Sequence, residues 1–151
     1  MNAVHYLNQF FAGLGGEEKA ETPPTRFEGA VGPGRGLQAA LDGVEIVATL
    51  ACGDDYFAEH EDEALEALLG HLGDIGPAVL IAGPAFGSGR YGYACARLAA
   101  AAAERGVPAV AAMHEENPGV GAAGWPLTGA TMPGPGSARS TSETRLSQPM
   151  P

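Results

Sequence analysis

Cysteine, tryptophan and basic residues are scarce in this chain: two, one and eight respectively among 151 residues. Cys52 and Cys95 lie far apart, without the paired spacing of a zinc site or a disulfide framework, and read as reduced thiols of a cytoplasmic protein. Eight Lys and Arg against 18 Asp and Glu leave a formal charge of -10, which argues against nucleic acid or an anionic membrane as partner. No run approaches the roughly 20 apolar residues of a membrane span. The opening Met1-Asn-Ala-Val-His-Tyr lacks the basic-then-apolar order of a signal peptide. The expectation is a soluble intracellular chain whose partner is a small molecule or another protein. Missing too are a Gly-x-Ser-x-Gly elbow, metal-ligand spacing among His, Cys, Asp and Glu, and the Lys-Ser/Thr pair of a phosphate loop.

What is present is an alternation. Ala3 to Leu7, Val44 to Ala51, Ala78 to Ala82 and Ala109 to Met113 have strand length and include Val, Ile or Leu. Helical patterns lie between them: one closing at Leu37 to Leu41, one over Glu61 to Ile75 with Ala64, Leu65, Leu68, Leu69 and Leu72 on one face, and one over Tyr91 to Arg105. The last contains five consecutive alanines from Ala99 and stops at Gly106 and Pro108. The second and third strands are nearly all apolar, as parallel strands covered on both faces are. This predicts an α/β fold, an open, mostly parallel sheet flanked by helices, of Rossmann-like or flavodoxin-like order. The folded domain is expected over residues 1–120. Beyond it, residues 121–151 are rich in Gly, Pro, Ser and Thr and read as a disordered tail.

Ligands of such sheets bind outside the carboxyl ends of the strands, and the unusual polar residues fall there. The third strand runs into Gly83-Pro-Ala-Phe-Gly-Ser-Gly-Arg-Tyr-Gly and then the Ala-rich helix. Gly87 and Gly89 allow close backbone approach, and Ser88 and Arg90 stand at a positive helix start where an anion is favoured. A tight turn with nothing bound is the plainer reading. The first strand leads to Asn8, the second to Cys52-Gly-Asp-Asp-Tyr-Phe with Asp54 and Tyr56, and the fourth to His114-Glu-Glu-Asn with Glu115 and Asn117. Each has a bland alternative: Cys52 a small buried hydrophobe, Asp54 and Asp55 helix caps, His114 a satisfied strand-end histidine, Glu115 and Glu116 solvated carboxylates. From the residues alone the reading stops at a ligand-binding α/β domain.

Taken together, Val4-His-Tyr-Leu-Asn-Gln-Phe-Phe-Ala-Gly-Leu-Gly-Gly-Glu-Glu-Lys, Glu28-Gly-Ala-Val-Gly-Pro-Gly, Cys52-Gly-Asp-Asp-Tyr-Phe-Ala-Glu, Ala82-Gly-Pro-Ala-Phe-Gly-Ser-Gly-Arg-Tyr-Gly and His114-Glu-Glu-Asn-Pro-Gly resemble the amino-terminal part of selenoprotein B of the glycine, sarcosine and betaine reductases. The resemblance covers residues 1–120 in order and is expected to end near Val120. It implies reductive cleavage of a C–N bond. A partner subunit's pyruvoyl group holds the substrate amine, a selenocysteine displaces it, selenoprotein A takes the product onward, and a thioredoxin system supplies electrons. The selenocysteine motif of that family lies outside the matched segments, and neither Cys52 nor Cys95 occupies it. This chain is therefore expected to hold no cofactor of its own and to contribute substrate-binding loops without turning over alone. Arg90 is the expected carboxylate ligand, with Gly87, Ser88, Gly89, Asn8, Asp54, Tyr56, His114, Glu115 and Asn117 lining the pocket. The shift in composition after Val120 suggests a frameshift or truncated reading frame. A free-standing metabolite-binding or scaffolding domain, or an inactive fragment, is the alternative.

Overall fold

A computed structural model describes residues 1–122 together with the backbone of Thr131–Met132. Five strands, β1 (Asn2–Asn8), β2 (Thr25–Glu28), β3 (Glu45–Cys52), β4 (Val79–Ala82) and β5 (Ala109–Ala111), form one sheet in the order β2-β3-β1-β4-β5. The sheet is mixed and mostly parallel, flanked by α1 (Gly34–Ala40), α2 (Asp54–Glu59), α3 (Glu61–Ile75) and α4 (Gly89–Glu104). Apart from β2, the predicted strands are ordered second, first, third, fourth, which is the flavodoxin-like arrangement and not the Rossmann one. Two compact units divide the chain, Met1–Leu80 and the part that begins at Ile81.

In the first unit β1 and β3 run parallel in a register that ends by pairing Asn8 with Cys52. Both are buried along nearly their whole length, which is why they read as continuous apolar runs. The sequence did not predict β2, which pairs antiparallel with β3 from Thr25↔Ala51 to Glu28↔Ala48. Its Thr-Arg-Phe-Glu alternates half-buried with exposed positions, too short and too polar to signal a strand without its neighbour. Helix α3 buries Ala64, Leu68, Leu69 and Leu72 as its period predicts, with Leu65 at the half-buried margin. Gly76, at φ 63°, ends it and donates to the Leu72 carbonyl. Gln38 closes the passage from α1 to β3, donating to Val44 O at 2.7 Å and accepting from Ile46 N at 2.6 Å.

In the second unit α4 buries nine residues, four of them within the alanine-rich run Leu98–Ala102. Small side chains let neighbouring backbone approach closely while keeping a strong helix former. The helix closes as predicted, with Gly106 at φ 86° and Val107 N donating to Ala102 O at 2.9 Å. The fourth predicted strand is interrupted: β5 ends at Ala111 and a separate β6, Met113–His114, follows. The interruption has a cause in the preceding turn. Ala112 N donates to Ala82 O and Ala112 O accepts from Ala85 N, both at 2.8 Å, so Ala112 serves the strand-to-helix turn. Gly83, at φ 111°, must be glycine because a Cβ would overlap the Ala112 carbonyl.

The expected disordered tail, residues 121–151, falls largely outside the described residues. Within it, Gly121 closes a 3-10 turn over Pro118–Gly121, and Thr131–Met132, named β7, pairs in parallel with β6.

Candidate functional site

The first unit brings Asn8, Asp54 and Tyr56 to one end of the sheet because β1 and β3 finish side by side. Asn8 and Asp54 are 4% and 5% exposed and form a buried polar network. Asn8 Nδ2 donates to Asp54 Oδ2 at 3.0 Å while Asn8 Oδ1 accepts from Phe11 N at 2.9 Å. Sequence reasoning gave no role to Gln9, which is as central: its Oε1 accepts from Asp54 N at 3.0 Å and its Nε2 reaches Gly16 O at 3.4 Å. The loop beyond is shaped by Glu18, whose carboxylate accepts from Gly16 N at 3.0 Å. Backbone hydrogen bonds at Glu18 and Gly16 hold that carboxyl below its ordinary pKa.

The start of α2 is closed to an anion by the protein itself. Ala20 O accepts from both Asp55 N and Tyr56 N at 2.9 Å, and Gln9 takes Asp54 N. Gly53, the residue before the helix, is glycine because a Cβ would overlap the Ala20 carbonyl. Neither Asp54 nor Asp55 occupies the cap position, which is Gly53, so the capping reading of those aspartates does not hold. Tyr56 is half-buried, its ring 4.8 Å from that of His60. Cys52 is fully buried, and burial first, then the neighbouring Asp54 charge, push its thiol up to about 12. A thiol so protonated is a packing group and not a nucleophile. Cys95 is also buried, within α4.

The second unit brings Gly87, Ser88, Gly89 and Arg90 together with His114, Glu115 and Asn117. Segment 114–117 is hydrogen-bonded along the 86–88 turn: His114 N donates to Phe86 O at 3.0 Å, and Asn117 Nδ2 donates to Phe86 O at 2.8 Å and Ser88 O at 3.0 Å. Gly87, Ser88, Arg90 and Glu115 are exposed, Gly89 and His114 half-buried, and Asn117 buried. Asn117 therefore supports the turn through its hydrogen bonds. Phe86 is 48% exposed and adopts φ 51°, a left-handed conformation that costs a bulky residue roughly 1–2 kcal/mol.

The start of α4 differs from those of α2 and α3. Its first turn carries no acidic residue, whereas α2 opens with Asp54 and Asp55 and α3 with Glu61, Asp62 and Glu63. An oriented positive helix end next to an exposed guanidinium suits a carboxylate. His114 Nδ1 accepts from Glu116 N at 3.1 Å, an assignment that leaves the proton of the neutral ring on Nε2. Among the described residues no three His, Cys, Asp or Glu side chains group as a metal site requires. No helix of the described residues is long and apolar enough to cross a membrane.

Gly92 and Gly119 were missed from the sequence. A Cβ on Gly92 would overlap the Asn117 side chain, and one on Gly119 would overlap Gly92 O. The available signal was an isolated glycine inside a strongly helical pattern, which usually marks close packing. An open depression of about 540 Å³ at the amino ends of β1 and β3, lined by Met1, Gln38, Leu41 and Glu45 among others, holds none of the predicted residues.

The chain is 53% identical over 122 residues to the sarcosine reductase complex component B subunit beta of Peptoclostridium acidaminophilum, covering 80% of this chain and 28% of that protein. It is 52% identical over 119 residues to the glycine reductase complex component B subunit gamma of Carboxydothermus hydrogenoformans, covering 78% and 27%. To the betaine reductase complex component B subunit beta of Peptoclostridium acidaminophilum it is 44% identical over 119 residues, again 78% and 27%. The chain thus spans a little over a quarter of the length of these curated relatives. No solved structure matches it. The family model for glycine/sarcosine/betaine reductase selenoprotein B matches residues 1–139, past Val120 where the resemblance was expected to end. The chain belongs to the glycine/sarcosine/betaine reductase selenoprotein B family.

Proposed function

We propose that this chain supplies substrate-binding loops to a reductase B component, and that Arg90 at the start of α4 takes the substrate carboxylate. The observation that carries this is the helix start itself: no acid in its first turn, and Arg90 exposed there. Glycine, sarcosine and betaine share a carboxylate on a methylene carbon and differ in methylation of the nitrogen. A guanidinium that grips both carboxylate oxygens reads what the three have in common. Discrimination at the nitrogen then belongs to other residues of the assembly.

In this reading the selenocysteine, the pyruvoyl-bearing subunit, selenoprotein A and the thioredoxin system act from outside these residues, and the C–N bond is cleaved only in the assembly. Support comes from membership in the family and from the burial of both cysteines, of which Cys52 holds its proton far above neutrality. The test is calorimetric titration of the 151-residue chain with glycine, sarcosine and betaine, with methylamine and tetramethylammonium as carboxylate-free controls. Heat from the three carboxylates alone supports the reading; equal response to the amines, or none to any of the five, contradicts it.

A further inference from the structure

We infer that Asn117 is a positioning residue that sets the conformation of the Phe86–Arg90 turn, a role that deepens the carboxylate-binding reading of that turn and rests on it. The side chain is 3% exposed and uses both ends of its amide. Nδ2 donates to Phe86 O at 2.8 Å and to Ser88 O at 3.0 Å, while Oδ1 accepts from Gly119 N at 2.7 Å.

Each carbonyl it holds has a second donor. Phe86 O also accepts from His114 N at 3.0 Å, and Ser88 O accepts from Gly92 N at 2.8 Å, the bond that opens α4. One amide therefore fixes the carbonyl of a left-handed Phe86 and the carbonyl from which the helix starts. Between them stand Gly87 and Ser88, and Arg90 follows two residues after Ser88. Two glycines make the seat. A Cβ on Gly92 would displace the Asn117 amide, and a Cβ on Gly119 would push the following turn off Gly92 O. An aspartate of the same shape would keep the acceptor for Gly119 N and set an acceptor against both carbonyls, so it separates the donor role from packing.

Hydrogen exchange on the 151-residue chain tests this without a substitution. The amides of Gly92, His114 and Gly119, which share the network, are expected to open together with one protection factor. Asn117→Asp is then expected to raise exchange over residues 87–92 at least tenfold and to weaken glycine binding about tenfold. Leu68→Ala, a core truncation in the first unit, lowers the thermal midpoint and leaves both readouts unchanged. Independent exchange of the three amides, or an Asn117→Asp protein with a lower thermal midpoint but unaltered exchange over 87–92, overturns the inference. If exchange responds and the parent chain binds no carboxylate, Asn117 still sets the turn and the carboxylate-binding reading is the one that fails.

Discussion

Asn8 donates its side-chain amide to the Asp54 carboxylate at 3.0 Å, and both residues are buried where β1 and β3 end. A buried carboxylate that loses a hydrogen-bond donor is expensive, because its hydration was already given up on folding. Asn8→Ala is expected to destabilise the chain by about 2 kcal/mol, seen as a lower urea midpoint at unchanged slope. Asn8→Asp, which sets a second carboxylate against the first, is expected to be worse than Asn8→Ala.

Gly53 and Gly36 predict opposite outcomes for the same substitution. A Cβ at Gly53 would overlap the Ala20 carbonyl that closes α2, whereas a Cβ at Gly36, inside α1, meets nothing within 4 Å. Gly53→Ala is expected to cost about 3 kcal/mol through overpacking against backbone. Gly36→Ala is expected to stabilise by up to about 1 kcal/mol, the ordinary gain of alanine over glycine in a helix. Thermal melts of the two variants check both signs.

Much of this frame was legible in the sequence, and what was not has a physical cause. The buried strands and α3 announce themselves because burial on both faces, or on one helical face, imposes a residue pattern. β2 does not, since an edge strand four residues long needs only one half-buried aromatic, Phe27, and takes its hydrogen bonds from β3. The polar residues of the strand ends were found by type, but type does not separate a ligand contact from a support. Asn8 and Asp54 in the first unit and Asn117 in the second are buried and hydrogen-bonded, and Gln9 and Gly92 do comparable work without any distinctive motif.

Cys52 gives a pH dependence whose sign follows from its burial. Its folded thiol is pushed from 9.0 up to about 12, so the unfolded chain releases the proton first. Below pH about 9 both states hold the proton and this contribution is constant. Between about 9 and about 12 the unfolded state binds fewer protons, so stability falls as pH rises, by up to about 1.4 kcal/mol per pH unit. Urea midpoints of the parent and Cys52→Ala measured from pH 8 to 10.5 are expected to diverge above pH 9, with the parent falling faster. A disulfide reagent at pH 8 is expected to leave Cys52 untouched in the native chain and to modify it in urea.

The turn at the start of α4 also separates glycines that the sequence grouped together. Gly87 is exposed and a Cβ there meets nothing within 4 Å, while Gly83 lies against Ala112 O at φ 111°. Gly87→Ala is expected to leave the stability within about 0.5 kcal/mol of the parent, as surface substitutions do. Gly83→Ala is expected to lower the thermal midpoint by several degrees.

The most direct test of the account is the carboxylate affinity of Arg90 variants. Glycine, sarcosine and betaine are titrated into the parent, Arg90→Lys and Arg90→Ala, each first shown to melt at the parent temperature. The account predicts that Arg90→Ala weakens all three ligands by a similar factor of about 10 to 100, the range of a charge-assisted bidentate contact, with Arg90→Lys in between. Unchanged affinity for any of the three in Arg90→Ala would contradict the assignment of Arg90 to the carboxylate they share.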